Sequence, residues 1–238
     1  MKTVYGPYRS WRLGYALGVD PICRQPKVCN LKCVYCRLGC GGIMVTERGR
    51  FVDEDRVKEE AKEILDKEKV DVLEFRGTGE PFLAKNLHEI VRALRGLTDV
   101  PFGIVTNGTM LGRDDVRKEL KDFDVIVVKL DAVDEDGFRR TNRPHHSITF
   151  ERTLAAIRDT IAESKGDVII QVMFYKGNVA LADRISELVR DIGPSKVFLS
   201  TPQCPEIPGL SKKELTDLVE LFSGMDVRTI YTECAKER

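Results

Sequence analysis

The feature that most limits how this chain can fold is a repeated alternation between short β-branched runs and amphipathic helical stretches. Residues 124–130 form a near-continuous apolar run, the pattern of a parallel strand covered on both faces. Runs at 70–75, 102–106, 168–174 and 196–200 read as further strands, and the first strand falls within 13–19. Between them lie helical stretches. Asp53-Glu54-Asp55 opens one with acids in its first turn, and Val57, Ala61, Ile64 and Leu65 follow as a buried stripe. Others cover 86–97, 135–140, 150–163 and 213–222. One more carries Leu181, Ile185, Leu188, Val189 and Ile192 on one face and stops at Gly193-Pro194. Strand–helix alternation requires right-handed crossovers and a parallel sheet. About six such units, with a candidate strand at 227–231, are too few to close an eight-fold barrel. The α/β class therefore narrows to a partial (β/α)6 TIM-like barrel, with an open doubly wound sheet as the alternative. At 238 residues the whole chain, 1–238, is expected to form a single domain.

Parallel α/β architectures collect ligands at the C-terminal ends of their strands, and the distinctive polar residues of this chain fall there. A cysteine-rich loop follows the first strand and Gly77-Thr78-Gly79-Glu80 the second. Thr106-Asn107-Gly108 follows the third, and Lys129 and Asp131 sit at the end of the fourth. Met173 and Tyr175 end the fifth, while Ser200, Thr201 and Gln203 end the sixth. One pocket assembled from all strands could hold a metal cluster and a small polar ligand, which points to an enzyme.

The loop reads Cys29-Asn-Leu-Lys-Cys33-Val-Tyr-Cys36, a C-x3-C-x2-C spacing. Iron–sulfur clusters are held by cysteine thiolates, and a cubane normally takes four. Three would leave one iron open, and an open coordination site is where metal chemistry happens. Two other readings compete. Cys40 could complete four thiolates around zinc, although structural zinc sites usually pair two knuckles across a longer gap. A disulfide framework needs an oxidising compartment, and Met1-Lys-Thr-Val-Tyr-Gly-Pro7 has no apolar signal segment, so a cytoplasmic location is expected. With 42% hydrophobic residues the chain can build a sizeable core, yet no apolar run approaches a membrane span. Its 38 basic and 38 acidic residues give no global argument for nucleic acid and leave room for a local basic patch.

The cysteine motif resembles the signature of the radical S-adenosylmethionine (radical SAM) superfamily, and Gly77-Thr78-Gly79-Glu80 is similar to that superfamily's Gly-Gly-Glu segment. The resemblance implies a [4Fe–4S] cluster on Cys29, Cys33 and Cys36, with SAM on the fourth iron. It implies that Gly77 and Gly79 let backbone approach SAM, with Thr78 replacing a small residue between them. Glu80 would accept from the SAM ammonium, and Tyr35 would lie beside the adenine. Asn107, Lys129 and Asp131 join as candidate SAM contacts, although Asn107 could instead cap its own turn. Arg9-Ser10-Trp11-Arg12-Leu13-Gly14, Lys129-Leu130-Asp131-Ala132, Asn142-Arg143-Pro144-His145 and Ser200-Thr201-Pro202 extend the likeness. They resemble the Fe–S oxidoreductases related to tRNA 4-demethylwyosine synthase, with Cys23 alone where the synthase has three further cluster cysteines.

Three functions follow as expectations. The first is reductive cleavage of SAM to a 5′-deoxyadenosyl radical that abstracts hydrogen from a substrate. A tRNA base is a candidate, since Arg139-Arg140-Thr141-Asn142-Arg143 could meet phosphates. The second is activation of a partner protein by installing a glycyl radical. The third is a structural or sensory metal module without catalysis. A ferredoxin or flavodoxin would serve either enzyme as electron donor. Cys23, Cys40, Cys204 and Cys234 are candidates for a second cluster, against their reading as structural thiols.

Overall fold

The computed structural model describes residues 1–203 and 206–232. Strand β1 (Val4–Ser10) turns at Trp11 and pairs antiparallel with β2 (Gly14–Val19). Two short strands, β3 (Val28–Cys29) and β4 (Ile43–Met44), pair beside each other in the cysteine loop. The alternation then runs through α1 (Glu54–Leu65), β5 (Val72–Phe75), α2 (Leu87–Arg95), β6 (Phe102–Thr106), α3 (Asp114–Leu120) and β7 (Val125–Lys129). It continues with α4 (Glu135–Thr141), α5 (Phe150–Glu163), β8 (Asp167–Met173), α6 (Ala182–Ile192), β9 (Lys196–Ser200), α7 (Lys212–Asp217) and β10 (Val227–Thr229). One eight-stranded sheet has the order β1-β2-β5-β6-β7-β8-β9-β10, and every neighbour pair is parallel except β1–β2.

Local chemistry sets the ends of the helices. Asp53 accepts from the amides of Asp55 and Arg56 at the start of α1, where Glu54 and Asp55 also favour the positive end of the helix dipole. Gly193 ends α6 in the left-handed conformation at φ 71°, which glycine adopts without a Cβ penalty. Ser211 and Glu214 form a reciprocal capping box on α7. The helical pattern read over 213–222 divides into α7 and a tighter 3-10 turn, Leu218–Phe222.

Whether the sheet curls is decided by contacts across it. Strands β2 and β8 are four steps apart in the sheet, which in a flat sheet would separate them by about 19 Å. Yet Arg12, in the turn before β2, donates through Nε to Gln171 of β8 at 2.6 Å. Trp11 meets Phe198 of β9 with ring centroids 5.5 Å apart. The sheet is therefore a partial barrel and not an open doubly wound sheet. Trp11, Val127, Ile169 and Phe198 plug its interior at the end where β2 begins. On the outer face, Phe75, Phe102 and Phe123 pack beneath the helices in a larger core. Above the plug the barrel opens into a cavity of about 460 Å³.

Candidate functional site

Asp20, just past the end of β2, is buried and clamps two loops together. Its Oδ1 accepts the amides of Ile22 and Cys23 at 3.0 and 2.9 Å. Its Oδ2 accepts the Thr78 amide and hydroxyl at 2.9 and 2.8 Å. This docking explains two glycines. A Cβ on Gly77 would lie 2.0 Å from Asp20 Cγ, and one on Gly79 would lie 1.7 Å from the Val28 carbonyl oxygen. Both glycines line the cavity, but the close approach that demands them is to the chain's own cysteine loop.

Cys29, Cys33 and Cys36 are half-buried and line the same cavity wall. Each sulfur has its own side-chain N–H donor. Lys27 Nζ lies 3.1 Å from Cys36 Sγ, Asn142 Nδ2 3.5 Å from Cys33 Sγ, and Asn107 Nδ2 3.7 Å from Cys29 Sγ. Burial, with the Glu80 carboxylate next, pushes the Cys29 thiol up to about 12. Burial also raises Cys33, against the opposing charge of Lys129. Such thiols stay protonated until a metal displaces the proton. Among the described residues no three His, Cys, Asp or Glu side chains converge around one ion. Cysteines that take separate iron corners of a cubane have no need to converge in that way, whereas zinc ligands do. Cys40 stands apart, exposed, with its Sγ 3.4 Å from the Val34 carbonyl oxygen. The donor set thus fits a cluster bound through three thiolates better than a four-cysteine zinc site.

Glu80 is buried on the same wall. Its Oε1 accepts the Thr106 hydroxyl at 2.7 Å and the Phe82 amide at 3.2 Å, and its Oε2 accepts the Asn107 amide at 2.8 Å. A carboxylate has about four acceptor positions, so one remains for a ligand. Burial raises this carboxyl to about 7, against the pull of its three donors. Asn107 caps its own turn and lines the cavity. Its Oδ1 accepts the Thr109 amide at 3.0 Å within its own turn, while its Nδ2 points to Asn30 and Cys29.

Tyr35, Lys129 and Asp131 form one network at the edge of the cavity. The buried Tyr35 hydroxyl donates to Asp131, and Lys129 Nζ donates to the same hydroxyl at 2.9 Å while lying 4.2 Å over the Tyr35 ring. Asp131 also accepts the Met173 amide at 2.7 Å and Asn142 Nδ2 at 3.0 Å. These contacts fix the loop ends of β7 and β8. Met173, Ser200, Thr201 and Gln203 line the cavity as their strand-end positions predict. Tyr175 lies outside that lining, its hydroxyl 3.2 Å from Thr141 Oγ1.

Sequence reading gave no place beside the cysteines to Asp20, Lys27 or Asn142. Asn142 reaches Cys33 across 109 residues, which no local pattern reveals. Its Oδ1 is a buried acceptor with no donor among the described residues. Of the three arginines in the run at 139–143, one is engaged within the protein and two are exposed. Arg139 binds Glu135 and the Ile148 carbonyl, Thr141 and Asn142 are buried, and Arg140 and Arg143 stay exposed. Of the spare cysteines, Cys23 donates to the Lys2 carbonyl at 3.3 Å, and Cys204 and Cys234 lie outside the described residues.

A partial parallel barrel with a three-cysteine loop after its first parallel strand defines an enzyme class that works with a [4Fe–4S] cluster and SAM. The chain belongs to the radical SAM superfamily, whose family model matches residues 26–180. It is 37% identical over 205 residues to a UPF0026 protein of Synechocystis, covering 86% of this chain and 77% of that one. A UPF0026 protein of Methanocaldococcus jannaschii is 33% identical over 212 residues, covering 86% of this chain, which spans 65% of that protein's length. Among solved structures, TYW1 with a lysine-pyruvate adduct superposes with a TM-score of 0.65 at 16% identity, covering 87% of this chain and 72% of that one. At that identity the likeness is one of fold. No helix among the described residues is long and apolar enough to cross a membrane.

Proposed function

We propose that this single domain, 1–238, is a catalyst of reductive SAM cleavage, with Cys29, Cys33 and Cys36 as cluster ligands and SAM lying along Glu80, Asn107, Gly77, Thr78, Gly79 and the Tyr35–Lys129–Asp131 edge. When bound, the reduced cluster and SAM supply a 5′-deoxyadenosyl radical able to remove a hydrogen atom from a substrate. The chain's own residues do the rest. Lys27, Asn107 and Asn142 each offer a hydrogen to one sulfur, which stabilises added negative charge there. Glu80 offers its free acceptor position to the SAM amino group. The Asp20 clamp holds the cysteine and glycine loops in one geometry, and the apolar plug below keeps water out. A ferredoxin or flavodoxin fits as the electron donor. A tRNA base or a partner protein would be the substrate in the two finer readings, and the internal use of Arg139 weakens the first.

The observation that carries the proposal is one cavity wall bearing three half-buried thiols, each with its own donor, beside a buried carboxylate with spare acceptor capacity. The test is anaerobic reconstitution with iron and sulfide, then dithionite and SAM, with 5′-deoxyadenosine as the readout. Formation that disappears in Cys29→Ala and Cys36→Ala is the expected result. A zinc-loaded protein that forms no product would return the chain to the structural-metal reading.

A further inference from the structure

The cavity extends from the cysteine wall toward the floor of the barrel. Arg12 reaches it from the turn before β2, at the floor of the barrel, whereas the cysteines follow the opposite end of that strand. Arg12 is largely buried, its side chain 11% exposed, and its guanidinium lies 4.5 Å over the Trp11 ring. Nε is held by Gln171, whose Nε2 in turn donates to Ser200 at 3.0 Å. Arg76 follows β5 at the cysteine-facing end, next to Gly77, and lines the same cavity. Between the two guanidiniums stands Glu74, whose side chain is wholly buried. Tyr8 donates to its Oε2, but its Oε1 accepts no hydrogen bond among the described residues. Both arginines approach that oxygen only to 3.9 Å, beyond hydrogen-bonding reach.

The charge count is lopsided. The whole chain balances 38 basic against 38 acidic residues. The described cavity wall carries Arg9, Arg12, Lys27, Arg37, Arg76 and Lys129 against Glu80 alone. Lys27 is placed on Cys36 and Lys129 on Tyr35. Glu74 can neutralise one of its two guanidiniums, so a positive charge is left facing the cavity. Buried charges persist where they are paired, and a guanidinium fork matches the two oxygens of a carboxylate or phosphate. Glu74 stands 3.9 Å from both guanidiniums without a hydrogen bond to either, while Gln171 holds Arg12 Nε and Tyr8 shares a side-chain hydrogen bond with Arg76.

We propose that the cavity wall between Arg12 and Arg76 binds the oxyanion group of a small substrate, a carboxylate or a phosphate. The inference deepens the radical reading, on which it rests for calling that ligand a substrate. The anion would anchor one end of the molecule and leave its remaining part facing the cysteine wall.

Isothermal titration of the reconstituted, unreduced full chain in saturating SAM tests this, with pyrophosphate, inorganic phosphate and succinate as probes. Trp11 is the chain's single tryptophan and touches Arg12, so its emission reports from this floor. Saturable binding of one stoichiometric equivalent is expected from phosphates or from succinate, which separates the two oxyanions. Arg76→Met should weaken it at least tenfold, Arg12→Met likewise, and Arg76→Lys by less. No saturable binding of any probe, or binding that survives Arg76→Met, overturns the proposal. If Arg12→Met fails to fold, the two Arg76 variants decide alone. Loss of anion binding in a protein that forms 5′-deoxyadenosine sinks this inference only. Anion binding in a protein that never forms it sinks the radical reading and leaves the anion site.

Discussion

Acidification should release SAM, and Glu80 sets the range in which it does so. Burial raises the Glu80 carboxyl from 4.5 to about 7, more than its three donors lower it. The folded protein therefore binds this proton more tightly than the unfolded chain does. The group favours folding most when protonated, and that contribution is lost as pH rises from 4.5 through about 7. At about 1.4 kcal/mol per pH unit the loss amounts to roughly 3 kcal/mol, which a bound amino group would offset. Only the ionised carboxylate is a full acceptor for SAM. Half of it is ionised near pH 7 and about 3% near pH 5.5, so the SAM Kd should rise about 15-fold across that interval. Equilibrium dialysis of SAM against reconstituted protein measures this, with Glu80→Gln as the comparison. The variant should bind SAM more weakly at pH 7 and should show a flatter pH profile. Parallel profiles for the two proteins would refute the reasoning, because the titrating group would then lie elsewhere.

Gly79→Ala puts a Cβ 1.7 Å from a backbone oxygen, where neither partner is a flexible side-chain end. It should destabilise the fold by about 3 kcal/mol or more in urea denaturation and lower iron content on reconstitution. Cys40→Ser should leave iron content unchanged, since that thiol is exposed and turned to backbone carbonyls, while Cys33→Ser should abolish it; equal losses would revive the four-cysteine zinc reading. Asn142→Leu removes donors from Asp131, Tyr35 and Cys33 together, and should lower stability by about 1–3 kcal/mol in the same denaturation assay. Ser211→Ala breaks the capping box far from the cysteines, so a loss of about 1 kcal/mol with unchanged SAM binding is expected.

Sequence legibility followed the range over which each feature is determined. The strands at 102–106 and 196–200 were readable to the residue because β-branched runs end there at turn residues. Strand β1 was not, since Gly6-Pro7 interrupts its run and shifts its register between Tyr5 and Tyr8. Helix α3 also escaped, having few apolar residues beyond Val116 and Leu120 among its charges. Strand count alone left the curl of the sheet open, and the Arg12–Gln171 bond that decides it spans 159 residues. The cysteine spacing and Glu80 were legible because they are local motifs. Lys27 sat two residues before Cys29 and still gave no signal, because its pairing with Cys36 depends on how the loop folds back. The glycines were read as letting backbone approach SAM, and local pattern gave no sign that Asp20 and Val28 also press against them.

The Asp20 clamp makes the two loops a single opening unit. One oxygen serves Ile22 and Cys23, the other serves Thr78, and 58 residues of chain separate the two sides. Lifting either loop strands a buried carboxylate with half its donors, so neither can swing out while the other stays down. The amides of Cys23 and Thr78 should consequently exchange with solvent at one shared rate, as members of the same cooperative unit.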